Sequence, residues 1–338
     1  MNDRAMMRQV ISAIRRHRSF VVTAHINPEG DALGSALAVA FLLKRLGKKV
    51  TVANDGGIPK AFEFLPHHVP VVGGPDKKVS AEVSIIVDVP VFSRVGSIKQ
   101  LIERVGLVVC IDHHVSNQRF ADINWVDPKA ASVGEMIYRL YRAFGMKPHL
   151  PEALCMYVSL VSDTGSFRYM STTPAVHRIA SELIQIGVSP LKVAQQLYES
   201  RSAADLKFLG TLLRSIHVSP DGRIAWLEVP AALMKSSKAS SEIIDELVNF
   251  PRSIQSAEVA FVAREDPHTG KTRVSFRSKG NVDVNQIART FGGGGHIAAS
   301  GCTVEGTIAQ ARAKVLKVAR QALKKKGVIA SEAKQSRS

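Results

Sequence analysis

The chain has 338 residues, 45% hydrophobic and 6% aromatic, with 45 Lys and Arg against 29 Asp and Glu, a formal net charge of +16. That length allows two domains, each with its own core. No apolar run approaches the roughly 20 residues a membrane span requires, and the basic N-terminus lacks the apolar core and cleavage site of a signal peptide, so no membrane association is expected. Cys110, Cys155 and Cys302 are odd in number and far apart, which argues against a disulfide framework and for a reducing cytoplasm. The positive charge has two readings. One is a solvated surface with a basic C-terminal tail. The other is an anionic substrate, nucleic acid being the usual one.

Taken in order, "MNDRAMMRQVISAIRRHRSF" spaces Met7, Val10, Ile11 and Ile14 as an amphipathic helix. "SFVVTA" reads as a strand. A helix from about Asp31 to Leu46 follows, with Gly47 as its stop. "KKVTVA" is a second strand. "SIIVDV" and "LVVCID" are short, continuously apolar runs, as expected of strands buried on both faces of a parallel sheet. Residues 151–162 read as a buried helix ending at "SDTG". This alternation predicts a doubly wound, mainly parallel α/β domain over 1–187. A helical connector is expected over 188–215. Strands in "GRIAWLEVP", "SAEVAFVARED" and "KTRVSFRS", with turns at "PDG" and "DPHTG" and helices at 232–249, 283–290 and 307–325, predict a second, smaller α/β domain over 216–326. The tail, 327–338, has little to pack and is expected to be disordered.

Three strand candidates end on metal-binding residue types. "VVTA" ends on His25, "SIIV" on Asp88, and "VVCI" on Asp112, followed by His113 and His114. In an open parallel sheet, the carboxyl ends of the strands line the ligand crevice, so these distant positions converge on one edge. Asp163 joins them if "SDTG" ends its helix there. Together with Glu29 and Asp31 in "PEGD", this is too much negative charge to leave unpaired. Each signal has a plain structural reading when taken alone: a turn, a helix cap or a strand end. Four in order, each at the end of an element, point instead to a dinuclear metal centre. Oxygen-rich ligation with some imidazole suits Mn²⁺ or Mg²⁺, and two such ions about 3.5–4 Å apart activate a water and stabilise a phosphoryl transition state. In the second half, "GGGG" could form a nest of backbone N–H groups for a phosphate, or be no more than a flexible turn. Arg277 and Ser278 would supply further donors.

"HINPEGDALGS", "VDVPVFSRVG", "IDHH" and "SDTGSF" resemble, in order, the four motifs of the DHH phosphoesterase superfamily. "FGGGGHIAASG" resembles the glycine-rich signature of the DHH-associated C-terminal domain. The two-domain layout is most similar to the bacterial oligoribonucleases (nanoRNases) that also dephosphorylate 3′-phosphoadenosine 5′-phosphate. The resemblance implies one metal on His25, Glu29 and Asp88, and another on Asp31, Asp88, His113 and Asp163, with Asp88 bridging. His114 would contact substrate phosphate as a catalytic group, and Asp112 would orient the His pair. Arg277, Ser278, Gly293, Gly294, Gly295 and His296 would bind substrate. Expected partners are short RNA and a nucleotide bisphosphate, with a homodimer left open. The alternatives are a phosphodiesterase for linear or cyclic dinucleotides (pApA, pGpG) and a non-catalytic nucleotide-binding module. One position departs from the family pattern: the first motif usually reads Pro-Asp-Gly-Asp, and here it is "PEGD".

Overall fold

The structure, a computed structural model, describes residues 3–76, 78–236, 247–266 and 269–335, with backbone only at 236 and from 325 on. The chain forms two compact units, Met1–Glu199 and Ser200–Ser338.

In the first unit, helix α1 (Asp3–Arg16) leads into β1 (Ser19–Thr23), α2 (Gly30–Arg45), β2 (Lys49–Ala53), β3 (Val71–Val72), β4 (Val83–Val87), the short α3 (Lys99–Ile102), β5 (Leu107–Asp112) and β6 (Ile123–Val126). Helices α4 (Val133–Ala143), α5 (Leu150–Asp163), α6 (Pro174–Gln185) and α7 (Pro190–Tyr198) follow. The six strands form one sheet in the order β3-β2-β1-β4-β5-β6, and every pairing is parallel. This is the doubly wound sheet that the alternation predicts. The chain builds outward from β1 in one direction and from β4 in the other, so the order reverses between these two neighbours. Their carboxyl ends therefore splay apart and leave a crevice.

The continuous apolar runs are explained by burial on both faces. Phe20 and Val22 of β1 pack toward α1, α2, α4 and α5, while Val21 joins Ile86, Val95, Ile98 and Leu101 on the opposite side. Helix α2 is buried from Gly30 through Leu43, because it lies under α4 and α5 as well as on the sheet. Its close approach to α5 depends on Gly34: a Cβ there would sit 2.4 Å from the Cys155 carbonyl oxygen. That approach brings the start of α2, with Asp31, beside the end of α5, with Asp163.

The second unit holds α8 (Ala203–Leu213) and a six-stranded sheet of β7 (His217–Val218), β8 (Ile224–Val229), β9 (Val259–Glu265), β10 (Thr272–Ser278), β11 (Gly294–His296) and β12 (Ala299–Val304), ordered β11-β12-β10-β9-β8-β7. Only the β8–β9 pairing is parallel. Alternation along β8 sends Ile224 and Trp226 to a core shared with the last helix, and Leu227 and Val229 to one shared with α8.

Some expectations shift. The helical stretch expected over 188–215 is two helices, α7 in the first unit and α8 in the second. In the stretch read as one helix over 232–249, helices occupy Ala231–Ser236 and Asn249–Ser253, and 237–246 lie outside the described residues. Pro267 and His268 of the turn "DPHTG" also lie outside them. The last helix runs Ile308–Gln335.

Two glycine substitutions test the packing argument against helix propensity, which favours Ala over Gly by about 1 kcal/mol. Gly34→Ala should destabilise the protein by about 1–3 kcal/mol, because overpacking against a backbone carbonyl outweighs propensity. Gly210→Ala, also within a helix but with open space at its Cβ, should be neutral or stabilising. Urea denaturation of both variants checks the contrast, and equal effects would contradict it.

Candidate metal centre

The strand exits at and beside the reversal point deliver the expected groups. His25 follows β1, Asp88 follows β4, and Asp112, His113 and His114 close β5. Asp31 lies in the first turn of α2, where the helix dipole favours a carboxylate, and Asp163 is the last residue of α5. All of these except Asp163 are buried, whereas Glu29, just before α2, is exposed.

Several groups of potential ligand atoms result, among them Asp88, Asp112 and His114. In His25, Glu29 and Asp88, one ligand atom from each lies within 4.8 Å of the others, and the same holds for Asp31, His113 and Asp163. Asp88 faces both. Its Oδ2 is 3.6 Å from His25 Nε2, and its Oδ1 is 3.6 Å from His113 Nε2. Oδ1 is buried and accepts no hydrogen bond among the described residues. A buried carboxylate oxygen left in that state is costly unless a cation meets it.

The imidazoles are oriented for ligation. His25 Nδ1–H donates to the Ile26 carbonyl at 2.8 Å, and His113 Nδ1–H to the Ala130 carbonyl at 3.0 Å. Each turns Nε2 toward the carboxylates, the arrangement that fixes tautomer and direction in metal-ligating histidines. His113 Nε2 has Asp163 Oδ2 at 3.0 Å and Asp31 Oδ2 at 3.5 Å. Asp31 is itself anchored: it accepts from Ser35 Oγ, Ser159 Oγ and the backbone N–H groups of Val133 and Gly134, at 2.6–3.3 Å.

Electrostatics follow from this crowding. Burial, then the charge of Asp31, raises Asp88 well above the usual carboxylate range. The same two causes push Asp163 up to about 6. Burial alone would lower His113, but the hydrogen bond and charge of Asp163, with Asp31 and Asp88, hold it well above its ordinary value. Burial, followed by the charge of Arg94, lowers His25 to about 4, which keeps it neutral. Burial would also raise Asp112, but the charge and hydrogen bond of His114, with His113 and Asn117, hold it below the usual carboxylate range. The donor set of carboxylate oxygens and imidazole nitrogens fits hard or borderline divalent cations.

Residues 19–160 match the DHH family, N-terminal domain, and residues 227–325 match the DHHA1 domain. The chain is 30% identical over 309 residues to the "Bifunctional oligoribonuclease and PAP phosphatase NrnA" of Thermus thermophilus, covering 91% of each chain. The chain belongs to the DHH family. A protein of the same name from Bacillus subtilis is 30% identical over 304 residues, covering 88% of this chain and 93% of that one. A solved structure described as an exopolyphosphatase-related protein from Bacteroides fragilis superposes with a TM-score of 0.83 at 26% identity, covering 97% of this chain and 98% of that one. As a DHH family member the chain is a hydrolytic, metal-dependent phosphoesterase.

The substrate-binding expectations fall in the second unit. Arg277 and Ser278 end β10, where Arg277 Nη1 donates to the Phe276 carbonyl and Ser278 is buried. The glycine run forms the edge strand of this sheet and the turn before it. Gly294, Gly295 and His296 form β11 and pair with Gly301, Ser300 and Ala299, while the Gly292 and Gly293 N–H groups donate to the carbonyls of Arg289 and Ala288. Gly295 has φ +145°, and a Cβ there would lie 2.5 Å from the Ala299 carbonyl oxygen. Close strand approach therefore accounts for this glycine.

Sequence reasoning did not find the groups that hold the cluster: Ser35, Ser159, the start of α4 and the Ala130 carbonyl. Asn117 was also missed, although it lies only three residues beyond His114. Its amide donates to Asp112 Oδ2 at 2.6 Å.

Metal binding should release protons. The ligands must be deprotonated to bind, and in the absence of metal Asp88, Asp163 and His113 all have raised pKa values. Affinity should therefore rise with pH and fall on acidification through about 6, where Asp163 takes up its proton. Calorimetric titration with Mn²⁺ in buffers of different ionisation enthalpy checks this. A heat of binding independent of the buffer would contradict the coupling.

Proposed function

We propose that the chain hydrolyses short oligoribonucleotides and removes the 3′-phosphate of 3′-phosphoadenosine 5′-phosphate, using two divalent ions. The observation that carries the reading is a buried Asp88 whose two oxygens each lie 3.6 Å from an imidazole, His25 on one side and His113 on the other, in a chain that spans nine-tenths of a relative named for both activities. His25, Glu29 and Asp88 would hold one ion, and Asp31, Asp88, His113 and Asp163 the other. Mn²⁺ is the ion we favour, because the donor set mixes imidazole with carboxylate. Bound there, the ions would supply charge neutralisation and Lewis acidity toward a phosphoryl group and an attacking water.

The protein's own groups do the rest. His114 Nδ1–H donates to Asp112 Oδ1 at 2.8 Å, an orientation in which Nε2 would meet a phosphate oxygen and stabilise developing charge. Asp112 also accepts from the His113 and His114 backbone N–H groups, at 2.8 and 3.3 Å, so it stays ionised and holds the ring. In the second unit, Arg277, Ser278 and His296 would bind the nucleotide. Aromatic residues are only 6% of the chain, a poor supply of stacking platforms for a long single strand, and this supports short substrates. No described helix is long and apolar enough to cross a membrane, and the cytoplasm is the compartment we propose.

Initial rates on RNAs of two, five and twenty-four residues, and on 3′-phosphoadenosine 5′-phosphate, with Mn²⁺ and with Mg²⁺, test the assignment. Two- and five-residue RNAs should be cleaved faster than the longest at equal concentration, and the nucleotide bisphosphate should lose phosphate. Equal or faster cleavage of the twenty-four-residue RNA would overturn the preference.

Asp88→Asn should remove nearly all hydrolysis while leaving the fold intact, because one side chain serves both ligand groups. Near-wild-type turnover by a folded Asp88→Asn variant would remove Asp88 from the centre.

A further inference from the structure

We propose that Asn117 is a positioning residue for this chemistry: its side-chain amide clamps the exits of β4 and β5 together and sets the orientation of His114 through Asp112. The inference rests on the phosphoesterase reading above and deepens it.

The hydrogen bonds assign every polar atom of the Asn117 side chain. An amide nitrogen carries two hydrogens and its carbonyl accepts. Nδ2 donates to Asp112 Oδ2 at 2.6 Å and to the Val89 carbonyl at 3.1 Å. Oδ1 accepts from the Arg119 N–H at 2.7 Å. The backbone N–H of Asn117 donates to the His114 carbonyl at 3.2 Å, which closes the turn that carries the side chain back under the site.

The two acceptors lie on different strands. Val89 directly follows Asp88 at the exit of β4, and Asp112 ends β5. One amide thus ties the residue beside the shared carboxylate to the carboxylate that orients His114. The bond to Asp112 has a specific consequence. Oδ1 of Asp112 takes the His114 ring and the two backbone N–H groups, so Asn117 is the donor that holds Oδ2. Without it the carboxylate would be held through Oδ1 alone, leaving its broad terminal torsion less restrained and the direction of the bond to the His114 ring less sharply set. A methyl or isobutyl group at 117 cannot donate. Aspartate would place a second carboxylate against the first.

Asn117→Leu keeps the approximate shape and removes both donors. It should lower kcat roughly 10- to 100-fold, the usual cost of losing an outer partner of a catalytic or ligating group, with KM within about twofold at saturating metal. A double-mutant cycle with His114→Ala separates positioning from general damage. If Asn117 acts through His114, adding Asn117→Leu to His114→Ala should slow the enzyme no more than about twofold further. Full additivity, or a wild-type kcat in the single variant, would overturn the proposal.

A readout independent of turnover is the imidazole ¹⁵N spectrum of the Mg²⁺-loaded full chain. Wild type should show His114 as a single Nδ1–H tautomer, and Asn117→Leu a mixture; an unchanged His114 signature would also overturn it. If Asn117→Leu fails to fold, Asn117→Ala serves the same measurements. Should wild type hydrolyse neither short RNA nor nucleotide bisphosphate, the functional reading fails, while the spectra still decide the clamp.

Discussion

Asp88, which we propose as a carboxylate shared between two half-sites, must in that role be buried, ionisable and fixed in direction at once, and its placement comes at some cost. Its backbone has φ +58°, a left-handed conformation that Asp adopts more readily than most residues and that costs of order 1–3 kcal/mol when imposed. The Asp88 N–H donates to the Ile111 carbonyl at 3.0 Å, continuing the β4–β5 ladder by one residue before the chain turns. The ladder therefore fixes where the turn falls, and the turn fixes where the side chain points. Groups arriving from β1, α2, β5 and α5 are arranged around that one side chain.

This arrangement follows from topology. Two adjacent parallel strands whose chains depart in opposite directions leave an opening that no crossover covers, and β1 and β4 are such a pair. His25 and Asp88 flank the opening, and β5 adds the His pair from the next position in the sheet. The helices contribute unequally. Asp31 sits at the favourable, N-terminal end of α2, while Asp163 sits at the C-terminal end of α5, where the helix dipole opposes a carboxylate. The close packing of α2 on α5 through Gly34 forces these two acids together. A cation bound between them, as we propose, would relieve a repulsion that the fold itself creates.

The strand exits were legible because their signal is local: short apolar runs, buried on both faces, each stopping at an acid or a histidine. What failed to show was carried by geometry rather than residue type. Asp31 is held partly by the N–H groups of Val133 and Gly134, which any sequence possesses. Strand β6 and helices α4 and α6 were not singled out, because their apolar spacing is ordinary and no chemistry-bearing residue marks them. The glycine run was ambiguous for a related reason. Glycine permits both a phosphate nest and a close strand pairing, and composition alone cannot choose between them; here Gly294 and Gly295 pair with β12 at the sheet edge. Asn117 was visible as a letter, but its role depends on two acceptors brought together by separate strands.

The same contrast gives Glu29 its meaning. Asp31 and Asp88 are buried, and Asp31, His25 and His113 are pinned by hydrogen bonds, so the half-site built on Asp31, His113 and Asp163 has little room to adjust. The other half-site includes Glu29, which is exposed, caps α2 without a side-chain hydrogen bond to it, and has an extended backbone (φ −94°, ψ −173°). Its extra methylene would clash or misdirect the oxygen if the side chain were confined like Asp31. Exposure removes that constraint: the longer chain can fold back, and one of its oxygens still lies within 4.8 Å of the His25 and Asp88 ligand atoms. In the site as we propose it, the longer side chain would thus be accommodated where the site is soft. Any difference in metal spacing or preference from relatives with aspartate at this position would arise in that half alone, with Asp88 transmitting it to the other.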